Sequence, residues 1–565
     1  MRASIAMQRV KTAGARGARA LATHASTASK VTCVYGGMQL TVGGDDYAAL
    51  KHAETFGDIA AAFSCGHGQP ATEAEALVRS GAILCGSAEA LWGLTRLFER
   101  KPWRSTRDEL QEPLAALDAR MHALANDPIV SEEPSEDAVC LVAATRALGD
   151  NDAVRAVQIF EDRLLTNPFN IVALRSLQEI YMRRGDTDRA LACVERTLSE
   201  WLPELPSFPA VQGLHANALF ACGFLGEGER IAGEALATEY NQGMAAMATA
   251  HGFLKSYRFR ECVRLTRELE HVFEASLRPV SSLAGEFYYT QAIAALQCAK
   301  FRPALQHTDT LLSFPETWPQ SWPQATLTLW RSLVLGGDDE WILHHDQEMP
   351  RFDLRKLFQA SKDAPSSPSI TDRFNIIARV PDAVQATPET ARTDPSLHFH
   401  KVLVALGQGD RARAADLTAM CKDSSLLLTV CEAFLLRADG QFAQAAKALS
   451  LTQGEWSAVL GRATDAELLA IVHCECTLRA ANIDVRSADP LQQNVVRPGS
   501  SEENLLALRE ARALMSQRTL RNPNDPCAWN FFARVLAAMG NDEVAAGASR
   551  RAKELGFQQG GYSSF

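Results

Sequence analysis

Ile171-Val-Ala-Leu-Arg-Ser-Leu-Gln-Glu-Ile-Tyr-Met-Arg-Arg-Gly-Asp-Thr-Asp-Arg-Ala-Leu-Ala-Cys-Val-Glu-Arg-Thr-Leu198 is the stretch that decides the fold. It divides at Gly185-Asp186 into two segments with apolar residues at helical spacing, Leu174, Leu177 and Tyr181 before the turn and Ala190 and Leu198 after it. In a frame of 34 residues opening at Ile171, the turn falls at positions 15 and 16 and Ala190 at position 20. The preceding frame, opening at Asp137 with no gap, places Cys140, Ala144 and Ala147 on a first helix and Ala156, Phe160 and Pro168 at positions 20, 24 and 32. Two tandem copies at one period predict a repeat of helical hairpins.

Further frames follow outward. After an insertion with Pro203 and Pro206, one opens at Pro209 (Ala216, Gly223, Gly228, Ala235) and another at Gly243 (Ala250, Phe253, Cys262). Looser copies open at Gly285 (Ala292, Ala295, Ala304) and Pro395 (Val402, Ala405, Gly409, Ala414), and Ala433, Gly440 and Ala445 mark a seventh. The last opens at Pro526, with Trp529, Phe532, Ala533, Gly540 and Ala545. This is the tetratricopeptide period. Small residues at positions 8, 20 and 27 let the paired helices approach closely, and each hairpin must lean on its neighbours to hide its apolar face. The expected fold class is all-α, an α-solenoid of tetratricopeptide-like hairpins with an N-terminal helical cap. No run alternates with a period of two, so little or no sheet is expected.

The domain reading follows. Residues 1–30 form a disordered presequence, 31–136 a helical cap, 137–314 the first repeat block, 315–394 an irregular linker, and 395–565 the second block. The linker rests on Trp318-Pro-Gln-Ser-Trp-Pro323, Pro365-Ser-Ser-Pro368 and Pro381, which break the helical pattern. Residues 484–501, with Pro490, Pro498 and Gly499, read as a surface loop.

Composition narrows the function. The chain has 565 residues, 47% of them hydrophobic and 22% charged, enough to bury a sizeable core. Its formal charge of −10 disfavours a broad grip on nucleic acid. No apolar run is long enough to cross a bilayer, so no transmembrane segment is expected. The first 30 residues carry Arg2, Arg9, Lys11, Arg16, Arg19 and Lys30, and no acid precedes Asp45. That pattern fits a mitochondrial presequence, and cations interrupt every candidate for the apolar core of a secretory signal. Without those six cations, 51 basic against 67 acidic side chains leave −16. The expected location is the mitochondrial matrix, and the expected partners are proteins with basic segments.

Catalytic signatures are missing from the sequence. It contains no GxSxG elbow, HExxH pair or GxxxxGK[ST] loop. Gly36, Gly37, Gly43 and Gly44 lack the context of a dinucleotide site and read as a flexible entry to the fold. Cys65-Gly-His67 could bring a thiol near an imidazole, but i and i+2 in a Gly-rich loop is an unspecific arrangement, and His344-His345 with Asp346 and His398-Phe-His400 each supply too few ligands for zinc. His473-Cys-Glu-Cys476 is the tightest group, but neighbouring helical residues point about 100° apart and do not converge on one ion. The thirteen cysteines are scattered with no CxxC pair, and read as small buried hydrophobes. No metal, cofactor or catalytic residue is expected.

The first helices of the frames supply the candidate site. Their groove-facing positions give Arg175, Glu179 and Arg183, then Asn217 and Phe220, then Met247, His251 and Lys255, then Tyr289, Ile293 and Gln297. Cationic and amide groups beside aromatic and Met surface suit a partner helix or extended peptide. The plain alternative is that Ile293 and Met247 bury against the next unit while Arg175 and Glu179 form a solvated pair.

From Ser135 to Leu312 the chain resembles the tetratricopeptide repeat protein 38 family, in Ala190–Leu198, Trp201-Leu-Pro-Glu-Leu-Pro206, Gly213, Glu234-Ala-Leu236 and Thr249-Ala-His251. The resemblance implies a helical repeat fold and adds little about activity. Where the family pattern is richer in histidine, this chain has Met247, Phe253, Leu254 and Thr290, and only His251 fits. The preferred expectation is a non-catalytic mitochondrial scaffold that binds a protein, as a subunit of a larger complex. Two others stand beside it: a hydrolase-like enzyme with His251 as proton carrier and Glu286 or Glu179 as its acidic partner, and an RNA-binding repeat protein.

Overall fold

The computed structural model describes residues 29–555, apart from 34, 45, 67–69, 100–105, 127–133, 240–241, 271–281, 299, 313–317, 337–368, 381–387, 389–390, 392–394, 457–462 and 484–501. Those residues contain twenty-four α-helices and one two-stranded sheet. Residues 1–28 of the presequence expected over 1–30, and the histidines at 67, 344 and 345, lie outside the described residues.

The chain opens with β1 (Ser29–Thr32) and β2 (Gln39–Val42), paired antiparallel with Ser29 opposite Val42. This one short hairpin agrees with the expectation of little or no sheet. Lys30, assigned by sequence to the presequence, belongs to a strand and pairs with Thr41. Four residues per strand are too few for a period of two to stand out. Helices α1 (Asp46–Cys65), α2 (Pro70–Arg79), α3 (Ser87–Glu99) and α4 (Thr106–Ala125) follow.

The repeat hairpins come next: α5 (Glu136–Gly149) with α6 (Ala153–Thr166), α7 (Ile171–Arg183) with α8 (Thr187–Leu198), and α9 (Phe208–Cys222) with α10 (Leu225–Thr238). Then come α11 (Gly243–Lys255), α12 (Phe259–Glu268), α13 (Ser282–Gln297), α14 (Phe301–Leu312), α15 (Trp318–Gly336) and α16 (Ile370–Ile377). The chain ends on α17 (Pro395–Gly407) with α18 (Arg411–Ala419), α19 (Ser425–Ala438) with α20 (Phe442–Thr452), α21 (Ala463–Ala480) with α22 (Glu502–Arg521), and α23 (Pro526–Ala538) with α24 (Asp542–Leu555).

The backbone obeys the period read from the sequence. Position 15 of successive frames is Asn151, Gly185, Gly223, Tyr257, Gly409, Gly440 and Gly540, and each has φ between +57° and +91°. That left-handed residue ends the first helix, and the next N–H turns back five residues: Asp186 donates to the Tyr181 carbonyl at 2.9 Å, and Asn541 to the Leu536 carbonyl at 2.9 Å. Asn482 has the same conformation (φ 56°), and Ile483 N–H donates to the Leu478 carbonyl at 3.0 Å. The pair α21 and α22 is therefore a further unit, hidden in the sequence by residues inserted at its turn.

Side chains follow the same frame. Ala156, Ala190, Cys262, Ala304, Ala414, Ala445 and Ala545, all at position 20, are fully buried. Side-chain caps start many of the helices, with Ser135, Asp152, Asn170, Asp410, Ser424 and Asp525 accepting from the first turn. Each unit thus covers its neighbour's apolar face, and the fold is an α-solenoid of tetratricopeptide-type hairpins.

The linker expected from 315 to 394 contributes two helices. The proline run that was expected to break helical structure lies inside α15, with Pro323 past the first turn. Its missing N–H costs one helical bond, which burial of Trp322 and the tie from Trp330 Nε1 to the Leu403 carbonyl (2.8 Å) offset. The loop expected at 484–501, Pro315, Pro365, Pro368 and Pro381 lie outside the described residues.

Two compact units result, one of residues up to Gly252 with Glu268–Ala284, the other of Phe253–Arg267 with Gly285 onward.

Candidate protein-binding groove

The first helices α5, α7 and α9 form one face of the first unit, and the chain's own N-terminal segment lies on it. α1 packs across α7 and α9, and α3 and α4 cap the stack at α5. Phe56, Ile59, Ala60 and Phe63 supply the buried ridge of α1, in one core with Leu174, Leu177, Val211 and Leu214. The β-hairpin bolts down the ends of the same helices. Ile171 N–H donates to the Gly36 carbonyl (3.1 Å), Asn167 Nδ2 to the Gly37 carbonyl (3.0 Å), and Gln39 N–H to Asp137 Oδ2 (2.7 Å). Gly36 and Gly37, two of the four glycines read as a flexible entry, are thus fixed partners of the repeats, while Gly43 bridges to Ile83. Gly37 has φ +59°, and a Cβ there would meet the Phe169 carbonyl oxygen at 2.0 Å.

This arrangement settles where the sequence-derived groove residues lie. Arg175 stacks over Phe63 of α1 at 5.7 Å, and Arg183 over Phe98 of α3 at 5.1 Å, while Arg183 Nη2 also donates to the Leu97 carbonyl at 3.0 Å. Between them, Glu179 accepts from Arg175 Nη1 at 2.6 Å and from Arg183 Nε at 3.1 Å. Burial by itself would raise the Glu179 carboxyl, but the two guanidiniums outweigh it and pull it from 4.5 down to about 2. The plain alternative of a solvated pair is replaced by a three-member ion cluster under α1 and α3.

The other candidates divide by burial. Phe220 is buried and fills the space beside two small residues, since a Cβ on Gly252 would lie 2.1 Å from its ring. Met247 and Tyr289 are buried, as is Ile293. Gln297 is buried too, and its Oε1 accepts from Cys527 Sγ at 2.9 Å. Asn217 and His251 are half-buried and Lys255 is exposed. The frame marks which residues lie on a first helix but not which of its sides a neighbour covers.

The acidic partners once assigned to His251 have other roles. Glu179 is held by its two arginines, and Glu286 accepts from Gln324 Nε2 at 2.7 Å. The His473 to Cys476 group is also divided among tasks. Glu475, fully buried, accepts from Arg437 at 2.6 and 3.0 Å and pairs with Arg479 at 3.0 Å, while burial pushes the Cys474 and Cys476 thiols up to about 12. His398 places Nε2 2.9 Å from the Leu417 carbonyl, and His400 meets the edge of Trp322 at 5.9 Å. Cys65 takes a hydrogen bond from Gln242 Nε2 at 3.2 Å, and burial raises it to about 12. Sequence reasoning missed Cys421, which hydrogen bonds involving Cys431 and then His398 lower to about 5 in spite of burial. With only 1% exposure, it is closed to substrates.

No family model matches the chain. Among solved structures it is similar to a tetratricopeptide repeat protein from Parabacteroides merdae, at 14% identity over 56% of this chain and 99% of that one, with a TM-score of 0.31. It is also similar to the human IFIT1 dimer with m7Gppp-AAAA, at 12% identity over 83% and 90% with a TM-score of 0.32, and to yeast Tom70, at 10% over 74% and 93% with a TM-score of 0.24. At these values the likenesses carry no argument about partner or activity. The class of protein, a helical repeat protein of tetratricopeptide type, rests on the recurrent turn and the buried position 20.

Proposed function

We propose that the protein is a non-catalytic scaffold of the mitochondrial matrix, a subunit that holds a protein partner through the helical faces of its repeats. One observation carries the reading: the first helices of the first unit already receive an amphipathic helix, α1, with its apolar ridge seated and one of its rings, Phe63, covered by Arg175. A surface built this way binds helices through apolar contact, with charge setting register. The polar first-helix positions Asn217, His251 and Lys255 are where a partner's side chains are met. The acidic balance favours basic protein segments, and the Arg-bearing, acid-free start supports mitochondrial import.

Affinity isolation of the full chain from mitochondria, followed by mass spectrometry, tests this. The expected result is a reproducible, stoichiometric set of proteins that is depleted with Asn217→Arg and Lys255→Glu and released as salt rises. Tight, salt-sensitive RNA retention without a protein partner overturns the reading, as does recovery of the protein in the cytosol alone.

A further inference from the structure

We propose that a cleft formed by the turn after α20, by α21 and by α22 binds the oxyanion of a small carboxylate or phosphate. The cleft has a volume of about 160 Å³. That is several times the space one water needs, but well below the roughly 300 Å³ at which drug-sized ligand pockets begin. α22 delivers Gln517, Arg518 and Arg521, Asn522 follows just past its end, α21 delivers His473, and Trp456 forms a wall. No carboxylate lines the cleft among the described residues.

Its donors are held ready. Arg518 gives Nε and Nη2 to Asp525 Oδ2 at 3.2 and 3.0 Å, and Nη2 also to Glu467. Two acids on one side lock the guanidinium and leave Nη1 without a partner among the described residues. A planar fork fixed in this way loses little freedom on meeting an anion. His473 is 7% exposed, its ring set edge-on to Trp456 at 6.2 Å, and its nitrogens have no hydrogen-bond partner among the described residues. Burial, and then Arg518, hold it down at about 4, so at neutral pH it is an uncharged imidazole with one N–H to give. Arg521 is exposed at the mouth.

The C-terminal carbonyls of α22 make this end of the helix partly negative, and Arg518 and Arg521 offset it. The cleft therefore combines an anchored guanidinium, a second one at its mouth, and an uncharged imidazole on its wall. An oxyanion accepts from all three groups at once. The proposal stands apart from the protein-binding reading and does not need it.

Calorimetric titration of the full chain with inorganic phosphate and, separately, with succinate at fixed ionic strength tests it. Saturable binding at one site is expected for at least one of the two, weakened by about tenfold or more in Arg521→Ala and partly restored in Arg521→Lys. Phosphate alone or succinate alone supports the proposal and names the ligand class. Arg521 is exposed, so its replacement leaves the fold intact, and His473→Phe keeps the Trp456 contact while removing the buried donor. Failure of both ligands to bind below about 10 mM, or wild-type binding by Arg521→Ala and His473→Phe together, overturns it.

Discussion

Glu179 shows how far one residue's role depends on what covers it. On an open groove, the Arg175, Glu179 and Arg183 cluster would be a surface pair worth little. Beneath α1 and α3 it becomes a clamped carboxylate with its own pH signature. A carboxyl near 2 in the folded chain, against 4.5 when free, contributes stability that is complete above pH 4.5 and is lost as pH falls toward 2. His307 and His473 act in a higher window. Burial, and then Arg267 and Arg518 respectively, hold both near 4, while the unfolded chain takes up those protons near 6.5. Stability therefore declines first between pH 6.5 and 4 and again below 4.5. Thermal melting across this range should show both stages, and Glu179→Gln should flatten only the lower one. A curve level from pH 7 to 4 would contradict the burial of the two histidines.

Among the elements, α1 combines the properties of a bound ligand and a core helix. Its ridge of Phe56, Ile59 and Phe63 is as buried as the repeat helices beneath it. Phe56→Ala should cost about 3–5 kcal/mol, as expected for emptying an aromatic site in a packed core. Urea midpoints check that figure, and a loss below about 1 kcal/mol would mean that α1 docks loosely. In the sequence, α1 was legible as a helix but not as an occupant, because periodicity records that an apolar face exists and not what it meets. α15 failed in the opposite direction. Its prolines dominate a local reading, while the side chains that hold it, Trp330 against Leu403 and beside Phe374 and Phe434, come from residues far along the chain. The unit of α21 and α22 was missed because an inserted stretch breaks the period, although its left-handed Asn482 obeys the rule of the others.

At the scale of the molecule, repeats that each touch mainly their neighbours unfold as blocks and not in one step. Chemical denaturation should give more than one transition, and Phe56→Ala should move one of them while leaving another in place. A single transition shifted as a whole by that substitution would show the two compact units unfolding together. The sequence by itself determined the hairpin, its period and the small residue at position 20, because helix pairing is a matter of local sterics repeated at fixed spacing. Tertiary structure alone decided that the N-terminal helix would fill the face the repeats present, and that His473 would be left facing a cleft with a donor to offer. Those outcomes depend on which distant segments compete for the same apolar and polar groups, and no local pattern encodes that competition.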